Sequence, residues 1–86
     1  MRGTTASGFE FSIDKEVLND WAVLDYLGEL ADGYLLHLPK FTKLVLGDEQ
    51  AKALVEHCKK DGKAIPMDVA TEVFEIINQL GDDGKN

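Results

Sequence analysis

Eighty-six residues with sixteen acidic and nine basic side chains give a formal net charge of -7, which disfavours nucleic-acid phosphates and anionic membranes and suits partners with basic surfaces. The 44% share of hydrophobic residues is that of a folded chain and excludes general disorder. A domain this short has one core, buries about 60–65% of its unfolded surface, and leaves no room for a large internal active site.

In chain order, Met1–Gly8 is small, polar and unpatterned, and reads as a flexible arm. Phe9, Phe11 and Ile13 then alternate with Glu10 and Ser12, the period-two pattern of an extended segment. Two readings stay open: an arm over residues 1–12 lying across the body with its aromatics tucked in, or a strand that completes a sheet in another subunit.

The strongest helical signal of the first half runs over Ile13–Ala31. Val17, Trp21, Leu24 and Ala31 share one face, and Val23, Leu27 and Leu30 form a second stripe beside it. Together the stripes cover about half the circumference, so this helix is expected to touch two neighbours, and the stripe position of Trp21 favours the core over the alternative of an interface anchor. Asp20 inside the apolar arc would be costly in mid-helix. The conflict resolves if the main helix starts at Asn19 or Asp20, with Asp14–Leu18 as a separate turn and Asp32-Gly33 as the stop.

Pro39 disfavours a helix through Leu38 but suits the first turn of one, which predicts a short helix from about Pro39 to Leu46 with Phe41, Leu44 and Val45 facing inward. The next helix has Asp48 as N-cap, Glu49 in the dipole-favoured first turn, and Ala51, Leu54, Val55 and Cys58 on a thin apolar stripe. Lys59 and Lys60 are expected in its last turn and Gly62 as its left-handed C-cap. The final helix, Met67–Leu80, places Val69, Val73, Ile76, Ile77 and Leu80 on one face and Asp68, Glu72, Glu75 and Gln79 opposite, with Gly81 as its stop. The sum is an all-α bundle of four to five short helices over residues 13–81, with a flexible or extended arm before it and a polar tail over 82–86.

Little in this pattern points to catalysis. A single Cys58 excludes an internal disulfide and a cysteine metal cluster, and on a buried stripe a thiol is inert. His37 and His57 lack metal-ligand spacing, and Gly81-Asp82-Asp83-Gly84 lacks the later ligands of a cation loop, so no metal or cofactor is expected. Ser7 and Ser12 have no histidine near them in sequence, and the pairs Asp68/Glu72 and Glu72/Glu75 read as solvated charge. No apolar run reaches signal-peptide or membrane length, which makes the cytoplasm the simplest location. The apolar residues least accounted for by the bundle are Tyr26, Tyr34, Leu35 and Leu36, and with Phe41 they form the candidate surface for a protein partner.

The order SGFEFSID, NDWAVLDYLGELADG, LVLGDEQAKALVEHCKKDGK and a final amphipathic helix resembles the small tail assembly chaperones of long-tailed bacteriophages and prophages, chiefly those of Gram-positive hosts. The likeness lies in the SGFEF opening, Asp20-Trp21, Leu46-Gly47 followed by Asp48-Glu49-Gln50, and Asp61-Gly62-Lys63 leading through Pro66, and it covers nearly the whole chain. It implies a non-enzymatic helper, active in the host cytoplasm and absent from the finished virion. Its partners would be the tape measure protein and tail-tube subunits, with self-association. It also implies a longer frameshifted form, for which Gly84-Lys85-Asn86 would suit a slippery codon pair. Residue patterns alone leave two other classes open. A small acidic helical regulator or antitoxin would need a basic recognition helix, and here Lys52, Lys59 and Lys60 are opposed by Glu49 and Glu56. A carrier protein would need an exposed serine opening a helix, where neither Ser7 nor Ser12 sits.

Overall fold

The computed structural model describes residues 1–84, and these fold into four α-helices and two small antiparallel hairpins around one core. The expectations for Lys85 and Asn86, a polar end and a frameshift position, lie outside the described residues.

The first hairpin corrects the flexible arm. Strand β1 (Arg2–Thr4) pairs with β2 (Glu10–Ser12), with Gly3 opposite Phe11. The turn closes through Thr5 N–H to the Phe9 carbonyl at 2.9 Å, and the Thr5 hydroxyl accepts from Phe9 N–H at 3.1 Å. Phe9, Phe11 and Ile13 are all buried, as their alternation requires, and β2 finds its partner within its own chain. Polar groups clasp the hairpin to the helices. The Gln50 side chain accepts from Ser12 N–H and donates to the Ser12 carbonyl, both at 2.7 Å, as an added strand residue would.

A 3-10 turn, Lys15–Asn19, precedes α1 (Trp21–Ala31), and the Asp20 carboxylate caps α1 by accepting from Ala22 N–H at 2.9 Å. The buried-charge conflict at Asp20 is thereby resolved as the pattern suggested. Beyond Ala31, Tyr34 N–H reaches the Glu29 carbonyl and Gly33 N–H the Leu30 carbonyl, the paired bonds of a Schellman stop. Of the two apolar stripes on α1, the core takes Val23 and Leu30, with Leu27 packed beside them. Trp21 is 81% exposed, which corrects its assignment to the core, and Leu24 is exposed with it.

Helix α2 (Leu38–Leu46) carries Pro39 in its first turn and buries Phe41, Thr42 and Val45, while Leu44 faces out. Gly47 alone separates it from α3 (Asp48–Cys58) and caps both, at φ 81° and ψ 162°. A glycine takes that conformation without steric cost, so it displaces Asp48 from the expected N-cap to the first helical position. Asp48 and Glu49 still complement the dipole there.

Helix α3 stops at Cys58, one residue before the expected lysine turn. Lys59-Lys60 (β3) pairs with Lys63-Ala64 (β4), and Asp61 and Gly62, at φ 53° and 80°, form the two-residue turn between them. Positive φ at both positions is the type I′ signature that Asp-Gly favours. Helix α4 (Pro66–Gly84) then supplies the longest buried face, Val69, Val73, Ile76, Ile77 and Leu80. It runs through Gly81, because a single glycine costs a helix only about 1 kcal/mol and buried Leu80 holds the preceding turn. The protein is therefore mostly helical, as expected, but not all-α.

Candidate functional site

Helices α2 and α3, joined at one residue, leave an apolar groove of about 750 Å³ between them. Leu35 and Leu36 form one lip, and Leu38, Pro39, Thr42 and Lys43 of α2 the first wall. Asp48, Ala51, Lys52 and Val55 of α3 form the second, and Ala64, Pro66 and Val69 close the end. Thr42 adds no free polarity, since its hydroxyl donates to the Leu38 carbonyl at 2.7 Å. Two lysines and one carboxylate line the groove of a chain whose net charge is -7, so its sign is locally reversed. Exposed apolar side chains lie near it in the chain: Leu36 (73% exposed) is on the lip, and Ile65 and Met67 flank the lining Pro66.

The five candidate contact residues divide. Leu35 and Leu36 line the groove. Tyr26 and Tyr34 instead pack edge-on against the His37 ring, at centroid distances of 5.2 and 5.4 Å, and His37 Nδ1 meets Glu29 Oε2 at 2.7 Å. That cluster fastens the end of α1 to the chain entering α2. Tyr34 stays half-exposed, whereas Phe41 is 1% exposed in the core and offers no partner surface, which corrects its place among the contact residues. The inward position of Phe41 on the helical wheel was the sounder reading. The α3 wall was missed, although Val55 at the edge of a thin stripe and the Ile65-Pro66-Met67 run carried its signal.

A second cluster brings together residues that sequence kept apart. The β1–β2 turn sets Ser7 Oγ 3.0 Å from His57 Nε2, in a recess of about 220 Å³ that also holds Cys58, Lys60, Asp68, Thr71 and Glu72. Glu72 is only 8% exposed, which corrects its reading as solvated charge. Its Oε1 accepts from the Thr5 hydroxyl at 2.8 Å and from the Ser7 hydroxyl, while Glu75 Oε1 accepts from Ala6 N–H at 2.8 Å. Gln79 donates to the Thr4 carbonyl at 3.0 Å. The polar side of α4 is thus the seat of the first hairpin.

Serine, histidine and glutamate here do not form a relay. In a nucleophilic triad the carboxylate orients the imidazole from its far nitrogen, and the near nitrogen takes the serine proton. Here the Glu72 carboxylate accepts from Ser7 Oγ itself, on the serine side of the pair and not behind the imidazole. Burial pushes the Cys58 thiol above its ordinary range, and the Glu72 and Asp68 carboxylates push it further against a smaller opposing pull from Lys60, so it is a poor nucleophile. Among the described residues, no group of three or more His, Cys, Asp or Glu side chains is placed to hold a metal ion, and no helix is long and apolar enough to cross a membrane. No family model, curated protein or solved structure matches the chain.

Proposed function

We propose that the protein is a tail assembly chaperone of a long-tailed phage or prophage, acting without catalysis in the bacterial host cytoplasm. It binds a helical segment of the tape measure protein, keeps that long, aggregation-prone chain soluble, and assists assembly of the tail tube. The observation that carries the reading is the ordered series SGFEF, Asp20-Trp21, Leu46-Gly47-Asp48-Glu49-Gln50 and Asp61-Gly62-Lys63. The α2–α3 groove supports it physically. Its apolar floor accepts the stripe of an amphipathic helix, Lys43 and Lys52 meet carboxylates beside that stripe, and the net charge of -7 keeps the complex in solution.

Co-expression with overlapping segments of the tape measure protein encoded beside it tests the reading. At least one segment, insoluble alone, should be recovered soluble and in complex. Recovery of no segment with the wild-type chain would refute the assignment.

A further inference from the structure

One side chain ties together three elements that meet at Gly47. Gln50, in the first turn of α3, gives its amide N–H groups to two carbonyls, Leu46 at the end of α2 and Ser12 of β2, each at 2.7 Å. Its Oε1 accepts from Ser12 N–H at 2.7 Å, so both donors and the acceptor of the amide are in use. In an unbroken helix the Leu46 carbonyl would accept from the backbone N–H four residues on, that of Gln50. The helix breaks at Gly47, whose φ of 81° and ψ of 162° lie in a region that only glycine adopts freely. Across that break the Gln50 side chain supplies the bond in place of its own backbone. Two backbone bonds at the joint serve one helix each. Gly47 N–H completes α2 on the Lys43 carbonyl at 2.8 Å, and the Gly47 carbonyl opens α3 by accepting from Ala51 N–H at 2.9 Å.

We propose that Gln50 is a positioning residue: it sets the angle at which α2 and α3 leave Gly47, and it links that angle to the seating of the first hairpin. Gln50 is not among the residues that line the groove, so it acts through its neighbours. Asp48 and Ala51 on one side of the joint and Thr42 and Lys43 on the other do line it, so turning the joint moves both walls. Leu46 and Ser12 share one amide nitrogen. When β2 lifts away, that amide keeps a single carbonyl and loses the two Ser12 bonds that aim it at the joint. The opposite end of the hairpin is held on α4, by Glu72, Glu75 and Gln79. A change in that hold therefore reaches the groove through β2 and Gln50. By reciprocity, whatever changes the groove alters the hold on the hairpin by the same factor. The coupling belongs to the fold and does not rest on the client proposed above.

The test uses amide hydrogen exchange and methyl NMR of the full chain, with exchange at fully buried Ile76 as the gauge of global unfolding. Thr5→Ala loosens the turn end of the hairpin by removing its bonds to Glu72 and to Phe9 N–H. It should raise exchange at Gly47 and Ala51 by about fivefold or more beyond any change at Ile76, and shift the methyl resonances of Leu36 and Val55 on the two sides of the groove. In a Gln50→Ala background the same substitution should still free the hairpin, but leave the joint and the groove methyls where Gln50→Ala alone puts them. Gln50→Glu keeps the size of the side chain, and as a carboxylate it has no N–H for either carbonyl, so it should uncouple the two as Gln50→Ala does. Gln79→Ala, which removes the bond to the Thr4 carbonyl, takes the place of Thr5→Ala should that variant fail to fold. A loosened hairpin with no change at Gly47, Ala51 or the groove methyls overturns the proposal. So does a response at the joint that persists in the Gln50→Ala or Gln50→Glu background.

Discussion

Replacing Glu72 by alanine removes the acceptor on which the first hairpin closes. Its Oε1 takes hydrogen bonds from Thr5, whose side chain is 4% exposed, and from the exposed Ser7. Ser7 turns to water and loses little. Thr5 cannot, and its proton can redirect to Ser7 Oγ, 3.2 Å away, so it exchanges a charged acceptor for a neutral one at a cost of about 1–2 kcal/mol. Relief from burying a carboxylate offsets part of this, and loss of the buried methylenes adds back, for a net destabilisation of about 2 kcal/mol. For a domain of this size that lowers the melting temperature by about 8–16 °C. Circular dichroism melts read the shift, and hydrogen exchange at residues 1–12 locates it, since the hairpin should lose protection before the helices do. In a double-mutant cycle with Thr5→Ala, the double variant should cost hardly more than the worse single one. A melting temperature within about 2 °C of wild type, together with additive effects, would refute the reasoning and return the hairpin to the status of a loose arm.

Other outcomes follow from the same structure. Cys58 should react slowly with a thiol reagent at neutral pH and at the rate of a free thiol once the chain is unfolded, read by absorbance with and without denaturant. Because the fold holds the thiol proton more tightly than the unfolded chain does, the Cys58 contribution to stability is fully present at neutral pH. It is lost as pH rises above the ordinary thiol range; comparison with Cys58→Ala in alkaline melts isolates it. Ile76→Ala, at a fully buried position, should cost about 2–5 kcal/mol in urea unfolding. Gly28→Ala should stabilise the isolated fold by about 0.5–1 kcal/mol, since the added methyl meets open space, and Trp21→Ala should change its stability by no more than about 0.5 kcal/mol.

Helical faces were legible in the sequence where one stripe was clearly apolar. The α4 stripe and the Ala51, Leu54 and Cys58 stripe of α3 are buried as the wheel places them, and Asp20 sits at the cap its polarity demanded. Helix α1 defeated the same method because both of its stripes are apolar, and nothing local says which one the core takes. The first hairpin was half visible. Phe9, Phe11 and Ile13 alternate, but Arg2-Gly3-Thr4 carries no apolar pattern and pairs through backbone alone. Asp61-Gly62 was ambiguous, since the same dipeptide ends helices and turns hairpins, and the choice depended on Lys59 leaving the helix. Glu72 looked solvated because its partners lie 65 and 67 residues away. The groove was hidden for a related reason: each wall reads as an ordinary helix flank, and the site exists only where two flanks and the Ala64-Pro66 connection meet.

The proposed seating of a client helix in the lysine-rimmed groove is most directly tested by calorimetric titration of a soluble tape measure helix into the wild-type chain and into Val55→Glu and Lys52→Glu. Saturable 1:1 binding with a negative heat-capacity change, weakened at least tenfold by either folded variant, is the expected result. Binding of the same affinity to all three proteins would contradict the account.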